Sequence, residues 1–339
     1  MIHQLSIAQW KSFDAAHPAP TFFARPAWSL ALASAFPHLR PTPVHVGLDD
    51  GGVLVPLMQV SGGRLGWKAF VGMPLGSYTC ALRMDGSIAS PQEFARALAV
   101  LGRSCDALTV TPWPLADWQH PAAWTARRHE TSVIDLRDGA EGALRAMTGV
   151  SRRMAGQARR NGVECAPCGS PALAITTYHS ILQEASRRWG LRKPTLPKEL
   201  LEALVTHGGE DVEIWLAHCD GHPIAGGVVL YGGDELFFYS AAMKDAFARL
   251  RPSNALNVAL IEAAVSRKKR WYNLGASEGL PGVERFKRGL GARIVPYHEL
   301  QRDRFAFSVY SRLGSSLRRR ATRRAALPAE VADGAREPA

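Results

Sequence analysis

The sequence predicts an α+β (mixed α/β) fold of two similar units in tandem, each a mainly antiparallel mixed sheet flanked by helices. Each half of the 339-residue chain has three strand-like segments, then a helix, then a further strand. The turn signals between the strands recur at a constant offset of 170 residues, from Asp50 to Asp220 and from Gly62 to Gly232. A repeated order of elements at a fixed spacing is typical of an internal duplication.

In the first unit, two short helices around Trp10 and Trp28 precede the sheet. Strands are expected at residues 43–48, 53–60 and 64–71, because these segments are rich in β-branched residues and are separated by Gly-rich turns. Ser90 followed three residues later by Glu93 predicts a capping box for a helix at 91–101. A strand at 106–111 closes the unit.

The second unit repeats this order. Strands are expected at 212–218, 223–231 and 235–241, a helix at 254–265 capped by Ser253, and a strand at 271–274. Helical patterns also cover residues 140–160, 172–189 and 198–207, between the two units.

Composition narrows the class of protein. With 46% hydrophobic residues, the chain can bury a large core or two ordinary ones. We expect a cytoplasmic protein, since no apolar run reaches the roughly 18 residues of a membrane-spanning helix and the N-terminus lacks a signal-peptide pattern. Five scattered cysteines fit a reducing compartment.

The net charge of +11 is concentrated near the C-terminus. Residues 311–325 contain six arginines and no acidic residue, and residues 327–339 have a composition typical of disorder. Residues 311–339 are therefore predicted to form a basic, disordered tail. A solvated tail, peripheral contact with an anionic inner-membrane surface and contact with RNA are its alternative interpretations.

Chemistry is expected where the last predicted strand ends. The segment WYNLGASEGLPGVERFKRGLGA, residues 271–292, combines a strand, a loop with Ser277 and Glu278, a basic triplet around Phe286, and glycines at 289 and 291. We expect the strand to resume at Val283. Charge and backbone freedom at the end of a sheet are typical of active sites.

Three pieces of sequence, R-P-S-N-A-L at 251–256, Y-N-L-G-A-S at 272–277 and F-K-R-G-L-G-A at 286–292, resemble the C-terminal half of Fem-like N-acyltransferases of the GNAT superfamily. The segment S-R-R-x-x-x-x-x-R-R-x-G-V at 151–163 resembles a helix and turn of that family. The resemblance implies two GNAT-like units, at residues 1–139 and 140–310, with the active site in the second.

The resemblance also implies N-acyl transfer to an amine of a small molecule or cell-envelope precursor. Lys287 matches the lysine of the family's F-K motif, which is implicated in the transfer step. The GNAT cleft would lie between strands 235–241 and 271–274, with Tyr239, a candidate catalytic residue, and Ser240 on one wall and Ser277 at the rim of the other. Glu284 and Glu278 are nearby candidates for the base, although water or the substrate can also take the proton.

An acyl-CoA is the expected donor, and aminoacyl-tRNA is the alternative. GNAT enzymes that use acetyl-CoA carry an R/Q-x-x-G-x-G/A loop, whereas this chain has no glycine between Arg249 and Asn254. The start of the predicted helix at 254 and an arginine stripe with almost no acidic residues suit phosphate. The candidate binding residues are Arg152, Arg153, Arg159, Arg251, Ser253, Asn254, Ser277, Phe286 and Arg288.

Other chemistries have little support. The pair Cys165 and Cys168 lacks a second ligand pair with zinc spacing, so no metal is expected. The cluster from His218 to His222 is interpreted as a hairpin turn. No G-x-S-x-G, P-loop or H-E-x-x-H motif occurs, which argues against a hydrolase, an NTPase and a zinc protease. A GNAT fold that binds its ligand without turnover is the alternative from a different class.

Overall fold

A computed structural model describes residues 1–49, 51–61, 66–119, 121, 123–277, 279–304 and 307. Met1–Arg302 form one compact unit, and Asp303–Ala339 form a second, of which residues 303, 304 and 307 are described. The basic tail at 311–339, Asp50, residues 62–65 and Glu278 lie outside the described residues. Predictions made for them stay predictions.

Helices cover much of the described chain, and those expected at 91–101, 172–189, 198–207 and 254–265 are confirmed within a few residues. The capping box of Ser90 and Glu93 is present. The helices are α1 (Ile7–Ala16), α2 (Pro26–Ala35), α3 (Pro91–Ser104), α4 (Gly139–Ala146), α5 (Gly149–Arg160), α6 (Pro171–Arg188), α7 (Lys198–Gly208), α8 (Pro252–Ser266) and α9 (Pro281–Gly289).

The strands of the described residues are β1 (Ile2–Gln4), β2 (Leu39–Pro41), β3 (Val44–Val46), β4 (Val53–Val55), β5 (Met58–Val60), β6 (Ala69–Gly72), β7 (Leu82–Arg83), β8 (Ala107–Val110), β9 (Thr125–Asp135), β10 (Glu164–Pro167), β11 (Val212–Cys219), β12 (His222–Tyr231), β13 (Glu235–Met243), β14 (Trp271–Asn273) and β15 (Arg293–Asp303). They form two sheets, one with the order β1-β3-β4-β7 and one with the order β10-β11-β12-β13-β14-β9-β15-β8-β6-β5-β2. Helices flank these mixed sheets, as the fold class predicts.

The second half has the predicted order of elements. Strands β11, β12 and β13 form an antiparallel meander, and α8 crosses over to β14, which runs parallel to β13. Asp220 and Gly221 have φ angles of 50° and 75°, the left-handed conformation of a tight hairpin turn. The His218–His222 cluster is therefore a turn, as predicted.

The first half follows the same order with one break. The strand predicted at 53–60 is wrong, because Pro56 and Leu57 interrupt it. Proline cannot donate a ladder hydrogen bond, and here the chain leaves one sheet and enters the other. β4 pairs with β3 in the small sheet, whereas β5 pairs with β2 and β6 in the large one. β6 and β8 then pair in parallel, as β13 and β14 do.

Two long strands that the sequence did not predict join the halves. β9 follows the first half in sequence but pairs with β14 of the second half. β15 follows the second half but lies beside β8 of the first half in the large sheet. The two strands also pair with each other from Thr125 and Gln301 to Val133 and Arg293. The halves thus exchange their last strands within one continuous sheet.

Two helical predictions are corrected. The helix expected over 140–160 is two helices, since Thr148 has an extended backbone and its side chain caps α5 by accepting from the Ser151 N–H. The strand expected to resume at Val283 is wrong, because Pro281 begins α9 there. Proline at the first position of a helix is common, since its fixed φ suits the helix and its missing N–H would have no partner there.

The core consists of clusters on both faces of the large sheet. The largest contains Phe23, Trp28, Tyr78, Tyr178 and Phe237, which pack between the first helices, α6 and the sheet. Within the described residues, no helix combines enough length with enough apolar character to cross a bilayer.

Candidate functional site

The parallel strands β13 and β14 separate soon after they meet. Their pairing covers residues Glu235–Phe237 and Trp271–Asn273 only. On the other side of β13, the register with β12 shifts between Val228 and Val229, so that Tyr239 has no partner residue across the ladder. This is a β-bulge, and bulges often lie next to active sites. The cleft predicted between these two strands is present.

A cavity of about 580 Å³ opens at this split and is called the central cavity below. Its walls include Tyr239 and Ser240 of β13 and Gly275 and Ala276 after β14. The Ser240 hydroxyl accepts a hydrogen bond of 2.6 Å from buried Tyr178. Burial raises the pKa of Tyr239, so its hydroxyl stays protonated and can donate rather than accept a proton.

A smaller pocket of about 210 Å³ lies on the α8 side of the same strand and is called the α8 pocket. It is lined by Phe286, Ser253 and Arg188 among others, and Phe238 lines both this pocket and the central cavity. Two ligands bound in the two spaces would therefore approach each other at β13.

A buried polar network holds the start of the split. The Asn273 side chain donates to Glu235 at 2.7 Å and accepts from Thr131 at 2.6 Å and from the Gly275 N–H at 2.9 Å. Glu235 is completely buried, and loss of solvation raises the pKa of its carboxyl to about 7, although the hydrogen bond from Asn273 opposes the rise. The network fixes the backbone of Gly275, which lines the central cavity.

Lys287 lies beneath the same loop. It is only 8% exposed, and its Nζ donates to the carbonyl oxygens of Gly275 and Ala276 at 2.9 and 2.7 Å. Both of these residues line the central cavity. The lysine is thus placed to hold the cavity wall, and its role in the transfer step remains a prediction.

The other site residues predicted in the segment 271–292 have different surroundings. Glu284 accepts a 2.9 Å hydrogen bond from Arg288 on the outer part of α9. Phe286 is half-buried and lines the α8 pocket. Ser277 is 5% exposed, and its buried hydroxyl has no hydrogen-bond partner among the described residues.

The start of α8 differs from the predicted cap. Arg251, with φ of 58°, is the N-cap, and the Ser253 hydroxyl instead donates to the Met243 sulfur at 3.5 Å. Pro252 occupies the first helical position, and the Asn254 N–H bonds to the Arg251 carbonyl at 3.0 Å. Asn254 is buried, and its Nδ2 has no hydrogen-bond partner in the described chain. This helix end therefore offers few free N–H groups to a phosphate.

The arginine stripe of α5 lies along a groove of about 800 Å³ against α8, called the arginine groove. Arg152 and Arg159 line it, whereas Arg153 is exposed beside it. Arg152 also donates to the Arg145 carbonyl at 2.8 Å and so satisfies the end of α4. Glu164 and Glu262 line the same groove, so its charge is mixed, and a phosphate would have to bind at the arginine side.

Several residues of the site were not found from the sequence. Glu235 begins β13 and Asn273 ends β14, and both strands are mostly apolar. A carboxylate at the start of such a strand was the available signal in the sequence. Tyr78 and His129 are brought to the central cavity by long-range pairing of the halves. Nothing local in the sequence indicates that.

Comparison with protein families identifies the second half. Residues 144–288 match the model of the acetyltransferase (GNAT) domain. These residues are thus similar to a GNAT acetyltransferase domain. They contain the split, α8 and most of α9, which is where the resemblance to Fem-like enzymes places the active site. Comparison with curated proteins gave no match.

Solved structures show that the fold extends beyond the GNAT domain. FemX superposes with a TM-score of 0.65 at 11% identity, covering 88% of this chain and 96% of that one. A Bacteroides thetaiotaomicron protein of unknown function superposes with a TM-score of 0.59 at 10% identity, covering 90% of this chain and 100% of that one. The C-terminal domain of a putative lysylphosphatidylglycerol synthetase from Agrobacterium fabrum superposes with a TM-score of 0.54 at 12% identity, covering 92% of this chain and 97% of that one. These likenesses show that the chain shares its fold with the three proteins, while the match to the GNAT model supports an acyltransferase.

Proposed function

We propose that the protein is an N-acyltransferase that moves an acyl group from a phosphate-bearing donor to an amine. The separation of β13 and β14 beside the Tyr239 bulge carries the proposal. The central cavity and the α8 pocket reach this strand from two sides and share Phe238. A donor in the α8 pocket and an acceptor in the central cavity would meet at the split.

The reaction needs little from ionisable side chains. The bound ammonium first gives one proton to water. The neutral nitrogen then attacks the acyl carbon, and a C–N bond forms as the bond from carbon to the thioester sulfur or ester oxygen breaks. The leaving group takes the one further proton that the nitrogen loses, which gives an amide and a thiol or alcohol. Backbone N–H groups at the bulge of β13 can stabilise the oxyanion, while the two pockets supply orientation.

An acyl-CoA is the first donor we propose, with its phosphates near Arg188 and the arginine groove. The second candidate is aminoacyl-tRNA. Pro252 has no N–H and the Asn254 N–H is used internally, so α8 lacks most of the donors that would hold a pyrophosphate. The exposed arginines of α5 suit an RNA backbone.

The acceptor we propose is an amine of a small molecule or a cell-envelope precursor. A role of the C-terminal arginines in contact with anionic membrane remains part of this proposal. Deletion of residues 311–339 followed by cell fractionation tests it, and unchanged membrane association after deletion would remove the tail from the proposal.

The deciding experiment compares donors. Thermal stabilisation of the full-length protein is measured with acetyl-CoA, longer acyl-CoAs and free coenzyme A, with ATP as the polyphosphate control. A rise in melting temperature with one acyl-CoA and not with ATP supports a CoA-linked donor. If none stabilises the protein and charged tRNA binds with a strong salt dependence, aminoacyl-tRNA is the donor. Failure of both, with no acylated amine detected by mass spectrometry, would contradict the proposed function.

A further inference from the structure

The central cavity differs in charge from the rest of the protein. The chain has a net charge of +11, yet the described residues that line this cavity include no lysine or arginine. Glu299 is the one carboxylate among them. A cavity of this kind favours a cation and disfavours a phosphate, because a buried charge without an opposite partner is costly.

Glu299 lies on β15 and faces the cavity together with Tyr297, two residues before it. Its carboxylate is half-buried and makes no hydrogen bond or ion pair with any described residue. The residue directly opposite on β9 is Arg127, which is exposed at the rim. The carboxylate is therefore available to a ligand, with one competing cation beside it.

Glu299 stands far from the split. The Ser132 N–H bonds to the Gly275 carbonyl, so the end of β14 lies level with the neighbouring pair of Thr131 and Val295. Glu299 is four residues further along β15, which corresponds to about 13 Å at the rise of an antiparallel strand. One ligand could reach both places only if it were elongated.

The wall of the central cavity combines aromatic faces with hydroxyl groups such as those of Thr109 and Thr111, and so suits a carbon chain that carries some polar atoms. Tyr78 and Tyr297 pack edge to face with centroids 5.4 Å apart, and His129 stacks on Tyr297 at 5.5 Å. His129 Nε2 is buried and has no hydrogen-bond partner among the described residues. Aromatic faces accept methylene groups and ammonium groups, and the imidazole nitrogen can bond to an N–H between the ends.

We propose that the acceptor is an elongated molecule with two amino groups. One is acylated at the split, and the other, as an ammonium, is bound by Glu299. This inference rests on the proposed function, because it assigns the central cavity to the acceptor. It also assigns any phosphate to the donor side, where the arginines lie. The ammonium held by a carboxylate is a poor nucleophile, so Glu299 determines specificity and does not act on the reacting amine.

Calorimetric binding to the full-length protein tests the inference without turnover. The probes are 1,3-diaminopropane, 1,5-diaminopentane, 1,8-diaminooctane and the uncharged 1,8-octanediol. We expect 1,8-diaminooctane to bind about tenfold or more tighter than 1,8-octanediol, as a hydrogen bond between charged groups implies. The short diamines should bind more weakly than 1,8-diaminooctane, because they cannot span the cavity.

Glu299→Gln should bring the ratio between the affinities of the two eight-carbon probes close to one. Glu130→Gln, an exposed carboxylate on β9 that lies opposite Pro296, is the matched control and should keep the full ratio. Arg127→Gln should increase the ratio by removing the competing cation. Melting temperatures confirm that each variant is folded. A ratio near one in the wild type, no binding of any probe, or a full ratio in Glu299→Gln would overturn the inference.

Acylation assays separate this inference from the proposed function. Diamine binding that depends on Glu299, with no acyl transfer from acyl-CoA or aminoacyl-tRNA, supports Glu299 as the ammonium site and contradicts the transferase. Transfer to an amine with equal KM in the wild type and in Glu299→Gln supports the transferase and overturns the role of Glu299.

Discussion

At the scale of single residues, the site depends on polar groups that are buried rather than exposed. Asn273 links Glu235, Thr131 and the Gly275 N–H, and Lys287 links the next two carbonyls of the same loop. These contacts define where the backbone stands at the split. In a fold whose chemistry depends on orientation, such supports matter as much as groups that touch the substrate.

The carboxyl of Glu235 predicts a pH dependence of stability. Its pKa is raised from 4.5 in the unfolded chain to about 7 in the fold, so the folded state holds a proton that the unfolded state has lost. The free energy of unfolding should fall as pH rises from about 4.5 to about 7, by on the order of 3 kcal/mol. Glu235→Gln should lack this fall, since an amide does not titrate and its oxygen can still accept from Asn273.

Urea unfolding of both proteins between pH 4.5 and 8 measures the difference. The contributions of other titrating groups to the free energy of unfolding cancel in the comparison, because the two chains differ at one residue. If the free energy of unfolding changes with pH in the same way for the wild type and for Glu235→Gln, the Glu235 carboxyl is not the source of the pH dependence.

Replacing Lys287 should affect both stability and activity. The lysine is buried, and its loss removes one of the two donors to the Gly275 carbonyl and the donor to the Ala276 carbonyl. We expect Lys287→Met to lower the free energy of unfolding by about 1–3 kcal/mol and to reduce acyl transfer at least tenfold. Arg285→Met, an exposed neighbour on α9, is the control and should change neither.

Chemical denaturation and single-turnover rates provide the two readouts. Loss of stability with full transfer activity would show that the lysine supports the loop without influencing the reaction.

At the scale of elements, the position of α9 depends on close contact with α5. The Thr148 N–H bonds to the Gly289 carbonyl at 2.9 Å. A Cβ on Gly289 would lie 2.7 Å from Ser151 Oγ, and Gly291, with φ of 86°, packs on Ala146. The glycines that stand out in the sequence are thus explained by packing and by left-handed backbone. The close packing at Gly289 and the left-handed backbone at Gly291 fix the end of α9, and with it the position of Lys287.

Gly289→Ala should therefore displace α9. We expect a loss of about 1–3 kcal/mol, as for other overpacking changes, and partial recovery in the double variant with Ser151→Ala, which removes the nearest atom. Gly282→Ala is the matched control on the same helix. A Cβ there meets nothing within 4 Å, so the change should stabilise by about 0.5–1 kcal/mol through helix propensity. Equal effects of the two alanines in thermal unfolding would contradict the packing argument.

At the scale of the whole molecule, the exchanged strands β9 and β15 make the two halves of Met1–Arg302 dependent on each other. Without β9, the edge of β14 would be exposed, and without β15, the edge of β8 would be exposed. Exposed edges favour aggregation. The central cavity is also built from both halves, since its walls include Tyr78 from the first and Tyr239 from the second.

We expect residues 1–302 to unfold in one transition. Calorimetry of the full-length protein should give equal calorimetric and van't Hoff enthalpies. The division into units at residues 1–139 and 140–310 is a prediction from the repeat, and two resolved transitions would show that these units unfold independently despite the exchange.

The sequence determined what depends on neighbours along the chain. Ser90 and Glu93 predicted a capping box, and the periodicity of residues 212–274 predicted the meander, the crossover helix and the parallel strand that create the split. Tyr239 and Lys287 were placed near it by motif and spacing. Tertiary structure alone decided that Pro56 sends the chain into a second sheet and that Thr148 divides a helix.

Tertiary structure also decided that β9 and β15 cross between the halves. Their pairing joins residues more than 150 positions apart, and no local pattern encodes such a partner. The same pairing brings His129 and Glu299 into a cavity with Tyr239. Burial then gives Glu235 its raised pKa, because desolvation comes from the whole fold and not from the residues beside it in the chain.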